Sequence, residues 1–351
     1  MRDDRRSSHP PLHPAVLLAR IRLEEGENWY IHAADLKKHA YFQPNTKNVC
    51  AERDFMRFDT NGHPPDKLEK ELCKFETKAR EAILRIEQSH TFQGEDRETV
   101  LNLMALFAVR YPQLRENMRD FQERIIKQVM SLTLATKERW EGQLDQAEAA
   151  GKDVRRHVSY EQMKEFHERG EYKVNVKREF QITSELKALP TVLNTFAGRK
   201  WKLFYAGQDE GLFITSDHPV VVTWNNPHKI PQMMRHSPGF GMIDTEVIFP
   251  LTRTCCLMGR FEGMEEGVEE ALGGLIAACN TRTFSHAFYY AFMFDKRTPY
   301  FVPPHEGYFD DQFMQRAKAY KDQNPPQEEI NIEWNVENGP AMPRSMKVEK
   351  L

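Results

Sequence analysis

The chain has 351 residues, of which 40% are hydrophobic and 29% are charged, and its formal net charge is −3. This composition is that of a globular protein, and it lacks the strong positive charge of proteins that coat nucleic acids. At roughly 100–200 residues per domain, the length allows about two structural units.

The lack of a recognisable targeting signal and the spacing of the cysteines both favour a cytoplasmic protein. The apolar run at 15–19 is shorter than the ~7–15 residues of a secretory signal, and no run reaches the ~18 residues that cross a bilayer. The five cysteines have no regular spacing, which is typical of reduced, buried thiols. We therefore expect a cytoplasmic protein without a membrane contact.

The first half of the chain is predicted to be helical. Residues 1–26 form an irregular segment rich in Pro, Arg and Glu, and a short extended segment follows at 28–33. From Asp66, apolar residues recur with the 3.6-residue period of one helix face, as the run Leu68, Leu72, Phe75, Ala79, Ile83 and Ile86 shows. Further helices are predicted at 96–110, 113–150, 160–169 and 184–197.

A charged arm spans 138–170 of this helical part. Its basic cluster consists of Lys152, Arg155, Arg156 and His157. Such a cluster is either a solvated helix end or a surface for nucleic acid or an acidic protein.

After Gly198 the pattern changes to strands, which are predicted at 200–206, 211–215, 220–223, 245–251 and 254–261. Helical spacing returns from Val268, and residues 321–351 are expected to be a solvated tail. Segregated helices and strands predict an α+β fold, with an N-terminal helical bundle packed on a small C-terminal antiparallel sheet and a flanking helix. We expect one domain over 27–320, with a helical part at 27–197 and a sheet-plus-helix part at 198–295.

The common catalytic motifs are absent from the sequence. There is no P-loop, no nucleophile elbow and no His-Glu-x-x-His helix. The segment GLFITSDHPVVV at 211–222 stands out instead, because a strand runs into Ser216, Asp217, His218 and Pro219 before a second strand begins. Asp217 is either a turn residue that accepts backbone N–H bonds or a ligand or base that projects into a cleft.

Several segments together resemble the family known as domain of unknown function 4238. The resemblance rests on TSDHPV at 215–220, on FPL at 249–251 and on Asn280 in a later helix. Upstream it rests on three more segments, in family order: KNVCAERDF at 47–55, LEKELCKFETKA at 68–79 and ALFAVRYPQLRENM at 105–118. Family members usually open with a His-Tyr-x-Pro segment, and here HPPLHPAVLLAR at 9–20 is a degenerate or truncated version of it.

One function hypothesis is a metal-assisted hydrolase acting on phosphodiesters or nucleotides. Its carboxylates are Asp217, Glu76 and, as an extra candidate, Glu69, and the metal would be Mg²⁺ or Mn²⁺ on Asp217 and Glu76, since these ions prefer oxygen ligands. Arg110 would bind phosphate, which completes the catalytic set. The predicted substrate-binding residues are Asn280, Ser216 and His218.

Glu76 and Arg110 also have a purely structural explanation. Glutamates at the border of a helix face usually pair with Lys or Arg, and Arg110 can simply cap the end of its helix. The alternative function is therefore a non-catalytic binding or interaction protein, for example in bacterial defence or stress response.

Overall fold

A computed structural model of the chain describes the residues that follow. These are 23–25, 28–45, 67–110, 112–152, 154, 158–170, 172, 174–175, 178–235, 238–295, 299–302, 305–308, 330–334 and 346–350. The segment at 47–55, Asp66 at the start of the predicted helix, and the basic residues 155–157 lie outside the described residues. The described part is a mixed helix and sheet structure, which agrees with the predicted α+β class.

The helices within the described residues are α1 Lys67–Ser89, α2 Gly94–Val109, α3 Pro112–Thr133, α4 Lys137–Ala149, α5 Tyr160–Arg169, α6 Arg178–Ala197 and α7 Gly273–His286. Among these helices, none has an apolar stretch long enough to span a bilayer.

The strands are β1 Leu23–Glu25, β2 Asn28–Tyr30, β3 His32–Asp35, β4 Ala40–Phe42, β5 Lys200–Ala206, β6 Thr215–Ser216, β7 Val221–Trp224, β8 Thr245–Pro250, β9 Cys255–Arg260, β10 Gly267–Ala271, β11 Tyr290–Met293, β12 Pro299–Val302, β13 His305–Tyr308, β14 Ile330–Trp334 and β15 Met346–Lys350. The pairs β1–β2, β12–β13 and β14–β15 each form a two-stranded ladder.

The larger sheet has five strands in the order β10-β5-β9-β8-β7. Its strands pair antiparallel except β10 and β5, which run parallel. The predicted helical spacing from Val268 is wrong at its start, because Gly267–Ala271 is this edge strand and the helix begins only at Gly273. The sequence at 267–271 fits either a helix or a strand, and pairing with β5 selects the strand.

The larger sheet is covered on both faces. On one face Leu203, Val247 and Leu257 join a core with α1 and α2, of which α1 contributes the predicted residues Ala79 and Ile83. On the other face the alternate residues of the same strands pack on α7, as a strand period of two requires. These residues include Phe204, Ile248, Cys256 and Met258.

The predicted helix over 113–150 is two helices. α3 ends at Thr133 and α4 begins at Lys137. The hydroxyl of Thr136 accepts the backbone N–H of Arg139, which is the usual stabilisation of a new helix start. By contrast, the helix predicted at 160–169 has the expected bounds, with a capping box at Ser159 and a left-handed Gly170.

A second sheet joins distant parts of the chain in the order β4-β3-β11-β6, with all pairs antiparallel. Ala291 of β11 lies between Ala34 of β3 and Ser216 of β6. Strands that precede the helices therefore pair with strands that follow them. This sheet places the TSDHPV segment beside the chain that leaves α7.

Candidate functional site

The TSDHPV segment is the buried turn between β6 and β7. Ser216, Asp217 and His218 are all buried, and Pro219 follows at once. The residue before a proline is driven away from helical backbone angles, which keeps the chain extended as it leaves β6. The Ser216 hydroxyl accepts the backbone N–H of His218 at 3.1 Å and so holds the turn in place.

Asp217 binds the chain that connects α7 to β11. Its Oδ1 accepts the N–H of Phe288 at 2.9 Å, and its Oδ2 accepts those of Tyr289 and Tyr290 at 2.7 and 3.2 Å. Burial raises the pKa of the Asp217 carboxyl to about 6, although these three N–H groups act in the opposite direction. Asp217 therefore accepts backbone N–H bonds, as expected of a turn residue, but the donors lie about 70 residues further along the chain.

Asn280 has a matching role on α7. Its side-chain oxygen accepts the N–H of Ile214 at 3.0 Å, and its amide group donates to the carbonyl of Leu212 at 2.9 Å. The fully buried amide therefore positions the strand that leads into Ser216. Its predicted contact with a substrate stays a prediction.

His218 is a neutral imidazole in the folded protein. Burial lowers its pKa to about 4, and the neighbouring His286 adds to that shift. Its Nδ1 lies 3.3 Å from the carbonyl oxygen of His286. Because a carbonyl only accepts, Nδ1 carries the proton and Nε2 is the accepting, basic nitrogen.

A cleft of about 610 Å³ opens beside this turn, between the end of α7 and the long connection from β7 to β8. Among its lining residues are His218, Trp224, Arg235, Arg282, His286 and Phe288. No Asp or Glu is found among the described residues that line it. The cleft thus has two guanidinium groups and two imidazoles in its wall, of which the His218 ring is buried.

One buried carboxylate supports the cationic wall of the cleft. Glu246 accepts from Arg282 at 2.6 Å through Oε1 and from Arg260 at 2.6 Å through Oε2. Two positive groups therefore share one negative group. Of these two arginines, only Arg282 lines the cleft.

The opposite wall is fixed by the connection between β7 and β8. The guanidinium group of Arg235 donates to the carbonyl of Ile230 at 2.8 Å. The indole N–H of Trp224 donates to the carbonyls of Met234 and Arg235 at 3.2 and 3.1 Å. These bonds hold Arg235 at the cleft.

Glu76 and Arg110 belong to a different group of charges. Burial lowers the pKa of Arg110 to about 10, and the charge of Glu76 is the main influence in the other direction. Burial also raises the pKa of Glu76, against the effect of Arg110. The structure therefore brings these two predicted residues together, as the cap of α2 and the border of α1.

Arg115 and Glu185 complete this second group. Both nitrogens of the Arg115 fork donate to the Glu185 carboxylate, with Nη2 at 2.8 Å from Oε2. Asp217 is not among the charges that shift the pKa of Arg110. The predicted meeting of Asp217 with Glu76 and Arg110 in one site stays a prediction, and so does their shared metal.

A metal site needs several ligands close together. Among the described residues, no three His, Cys, Asp or Glu side chains form such a cluster. The side chain of Glu69, the extra carboxylate candidate, lies outside the described part of the structure.

The cleft residues that the sequence did not indicate include Trp224, Arg235, Arg282, His286 and Phe288. For Arg282 one signal existed. The polar run at 280–283 interrupts an otherwise apolar helix, and such an interruption on a buried helix indicates hydrogen bonds or a site. Arg235 had no comparable signal, because only the course of a long connection brings it to the cleft.

Comparison with known families gives one match. The family model of DUF4238, described as a protein of unknown function, matches residues 14–325, and the chain belongs to this family. A search of curated proteins found no match, and neither did a search of solved structures.

Proposed function

We propose that this member of the DUF4238 family binds a phosphate ester, such as a nucleotide or a phosphodiester, in the cleft beside the TSDHPV turn and hydrolyses it. The observation that carries the proposal is the lining of the cleft, which presents Arg235 and Arg282 and no carboxylate among its described residues.

The charges of the cleft favour an anion. A guanidinium group offers a planar fork of N–H donors that matches two oxygens of a phosphate. Arg282 keeps donors for a ligand, because its described pairing to Glu246 uses one nitrogen. Phe288, which is only partly buried, also lines the cleft and supplies a ring against which a base can stack.

The hydrolytic step places His218 as the general base. Its Nε2 is buried in the described structure, so the step requires that the ring reach a water molecule in the cleft once the phosphate ester is bound. Its Nε2 takes a proton from a water molecule whose oxygen attacks phosphorus, a new P–O bond forms and the bond to the leaving oxygen breaks. The leaving oxygen takes its proton from solvent. Arg235 and Arg282 stabilise the charge on the phosphoryl oxygens, which is the main form of catalysis in such reactions.

Asp217, Ser216 and Asn280 act as positioning residues in this proposal. Asp217 holds the amides of 288–290, Ser216 holds the backbone of His218, and Asn280 holds the strand before them. Together they fix the His218 ring relative to the cleft.

The test compares two arginines that bind the same carboxylate. Arg282→Gln removes a donor from the cleft, whereas Arg260→Gln removes the same kind of ion pair to Glu246 outside the lining. We expect Arg282→Gln to weaken binding of bis(p-nitrophenyl) phosphate or AMP roughly 10- to 100-fold, as the loss of a charged hydrogen bond does. Arg260→Gln should leave the affinity within a few-fold, as measured by calorimetry.

Hydrolysis is measured separately, as release of p-nitrophenolate with and without Mg²⁺ or Mn²⁺. His218→Asn should keep binding and lower the rate roughly 10²- to 10⁴-fold, the usual contribution of a general base. If neither probe binds the wild type, or if both arginine variants bind equally well, the cleft is not the site. Binding without hydrolysis would instead support the non-catalytic alternative.

A further inference from the structure

A row of apolar side chains is exposed along α3. Met118, Phe121, Ile125, Val129 and Leu132, here called the α3 stripe, have exposed fractions between 38% and 55%. At 100° per residue they fall on one face of the helix. Exposed apolar side chains are ordinary when they are scattered, but a contiguous row of five marks a surface that binds another molecule.

The spacing of the α3 stripe is the same in both directions. Its steps are 3, 4, 4 and 3 residues, so Ile125 is the centre of a palindrome. A two-fold axis through Ile125 would place Met118 opposite Leu132, and Phe121 opposite Val129. Self-complementary patches of this kind are what a two-fold dimer requires.

We propose that α3 pairs antiparallel with α3 of a second copy of this chain, with the two-fold axis at Ile125. This dimer is independent of the ligand cleft and of its chemistry.

The exposed area is sufficient for such a dimer. Half-exposed side chains of these types present together on the order of 400 Å² on each copy, hence about 800 Å² of apolar surface in the pair. A stable interface buries about 1,200–2,000 Å² in total and is a little more than half apolar. The α3 stripe therefore supplies the apolar share of a small, specific interface.

A groove at one end of the α3 stripe fits the same arrangement. It has a volume of about 410 Å³ and lies between Val129 and Leu132 of α3 and Gly142 of α4. A Cβ atom added at Gly142 would have no heavy atom within 4 Å, so the groove is open there. In the antiparallel pair, Met118 of the second copy lies opposite Leu132, beside this groove, and its flexible side chain can fill it.

The first test is the oligomeric state of the full chain by sedimentation over about 1–100 μM, the range in which small interfaces dissociate. We expect a dimer that dissociates on dilution. Ile125→Glu should abolish it, because the axis brings two carboxylates together for a single substitution. Met233→Glu is the matched control, since Met233 is also an exposed apolar residue and lies on another surface.

Cross-linking tests the register. In a background with Cys50 and Cys73 changed to Ser, Ile125→Cys should form a disulfide-linked dimer, because its two copies face each other at the axis. Leu132→Cys should not, since its two copies lie about 21 Å apart along the helices.

Three results overturn the proposal. They are a wild-type monomer at every concentration, a dimer that survives Ile125→Glu, and equal cross-linking at 125 and 132. The first would leave the α3 stripe to another segment of this chain or to an unrelated partner.

Discussion

Two groups of charged side chains in this protein differ in how their charges are balanced. Between α1, α2, α3 and α6, Arg110 and Arg115 face Glu76 and Glu185, which is two positive groups against two negative ones. Arg235 and Arg282 line the cleft, whereas Arg260 lies outside its lining, and Glu246 pairs with Arg260 and Arg282. These described residues hold three positive charges against one negative charge.

Under the proposed function, the difference separates a structural role of the helical group from a binding role of the cleft group. Charges taken out of water must be compensated, and the helical group compensates its own. The cleft group keeps a positive excess that an anion can neutralise. We therefore expect damage to the helical group to change stability and damage to the cleft to change ligand binding.

The largest expected effect comes from breaking the balance between the helices. Arg115→Met leaves the buried Glu185 carboxylate without its two donors, and such a loss costs about 3–5 kcal/mol of the free energy of unfolding. Urea denaturation at pH 7 measures the change. The affinity of the cleft for a phosphate ester should stay the same wherever the variant is folded.

The double variant Arg115→Met with Glu185→Leu is the control. It removes both charges, so we expect most of the lost stability to return. If the single and double variants are equally unstable, packing at these positions matters more than charge, and the comparison of the two groups fails.

The next effect concerns two neighbours with opposite pH dependence. The pKa of Asp217 is raised from 3.8 to about 6, so the folded state holds more protons than the unfolded state and stability falls as the pH rises through this window. The pKa of His218 is lowered from 6.5 to about 4, so its contribution to stability rises with pH over nearly the same window. In the wild type the two contributions largely cancel.

Single variants should separate these contributions. In Asp217→Asn the free energy of unfolding should increase between pH 4.5 and 6, and in His218→Asn it should decrease. Each change is about 2–3 kcal/mol over the whole window, from shifts of about two pKa units. The slopes are compared rather than the absolute stabilities, because Asp217→Asn also turns an amide NH₂ toward backbone donors.

The double variant at 217 and 218 should remove both slopes. Parallel slopes in the two single variants would mean that other groups dominate, and the cleft would lose its distinct electrostatics.

The sequence predicts most of the helices and several central strands well, because their patterns are local, whereas the strand predicted at 211–215 is present only as Thr215–Ser216. The apolar face of α1, the bounds of α5 and the strands β5, β8 and β9 all follow from periodicity and caps. The second sheet and the cleft depend instead on contacts between distant segments. Asp217 stood out from its motif, but its partners at 288–290 lie some 70 residues away.

The same limit explains the grouping of the predicted site residues. Glu76 and Arg110 became candidates because their segments resemble the family, and both lie at helix borders, where an ion pair and a catalytic pair look alike in sequence. The distinction lies in the charge count, which needs Arg115 and Glu185 from two other helices. The α3 stripe has a regular spacing in the sequence, but its exposure depends on how the other helices pack and so could not be predicted.

The smallest expected effect is a pH dependence of ligand affinity that only the cleft shows. A bound anion favours the charged forms of His218 and His286, whose pKa values burial has lowered, so binding takes up protons. Affinity for a phosphodiester, whose own charge is constant in this range, should therefore increase about threefold from pH 7.5 to 5.5.

Calorimetry in two buffers of different ionisation enthalpy measures the proton uptake directly. His218→Asn should reduce that uptake, and Arg115→Met, in the balanced group, should leave it unchanged. Proton release on binding, or equal uptake in all three proteins, would place the anion away from these imidazoles.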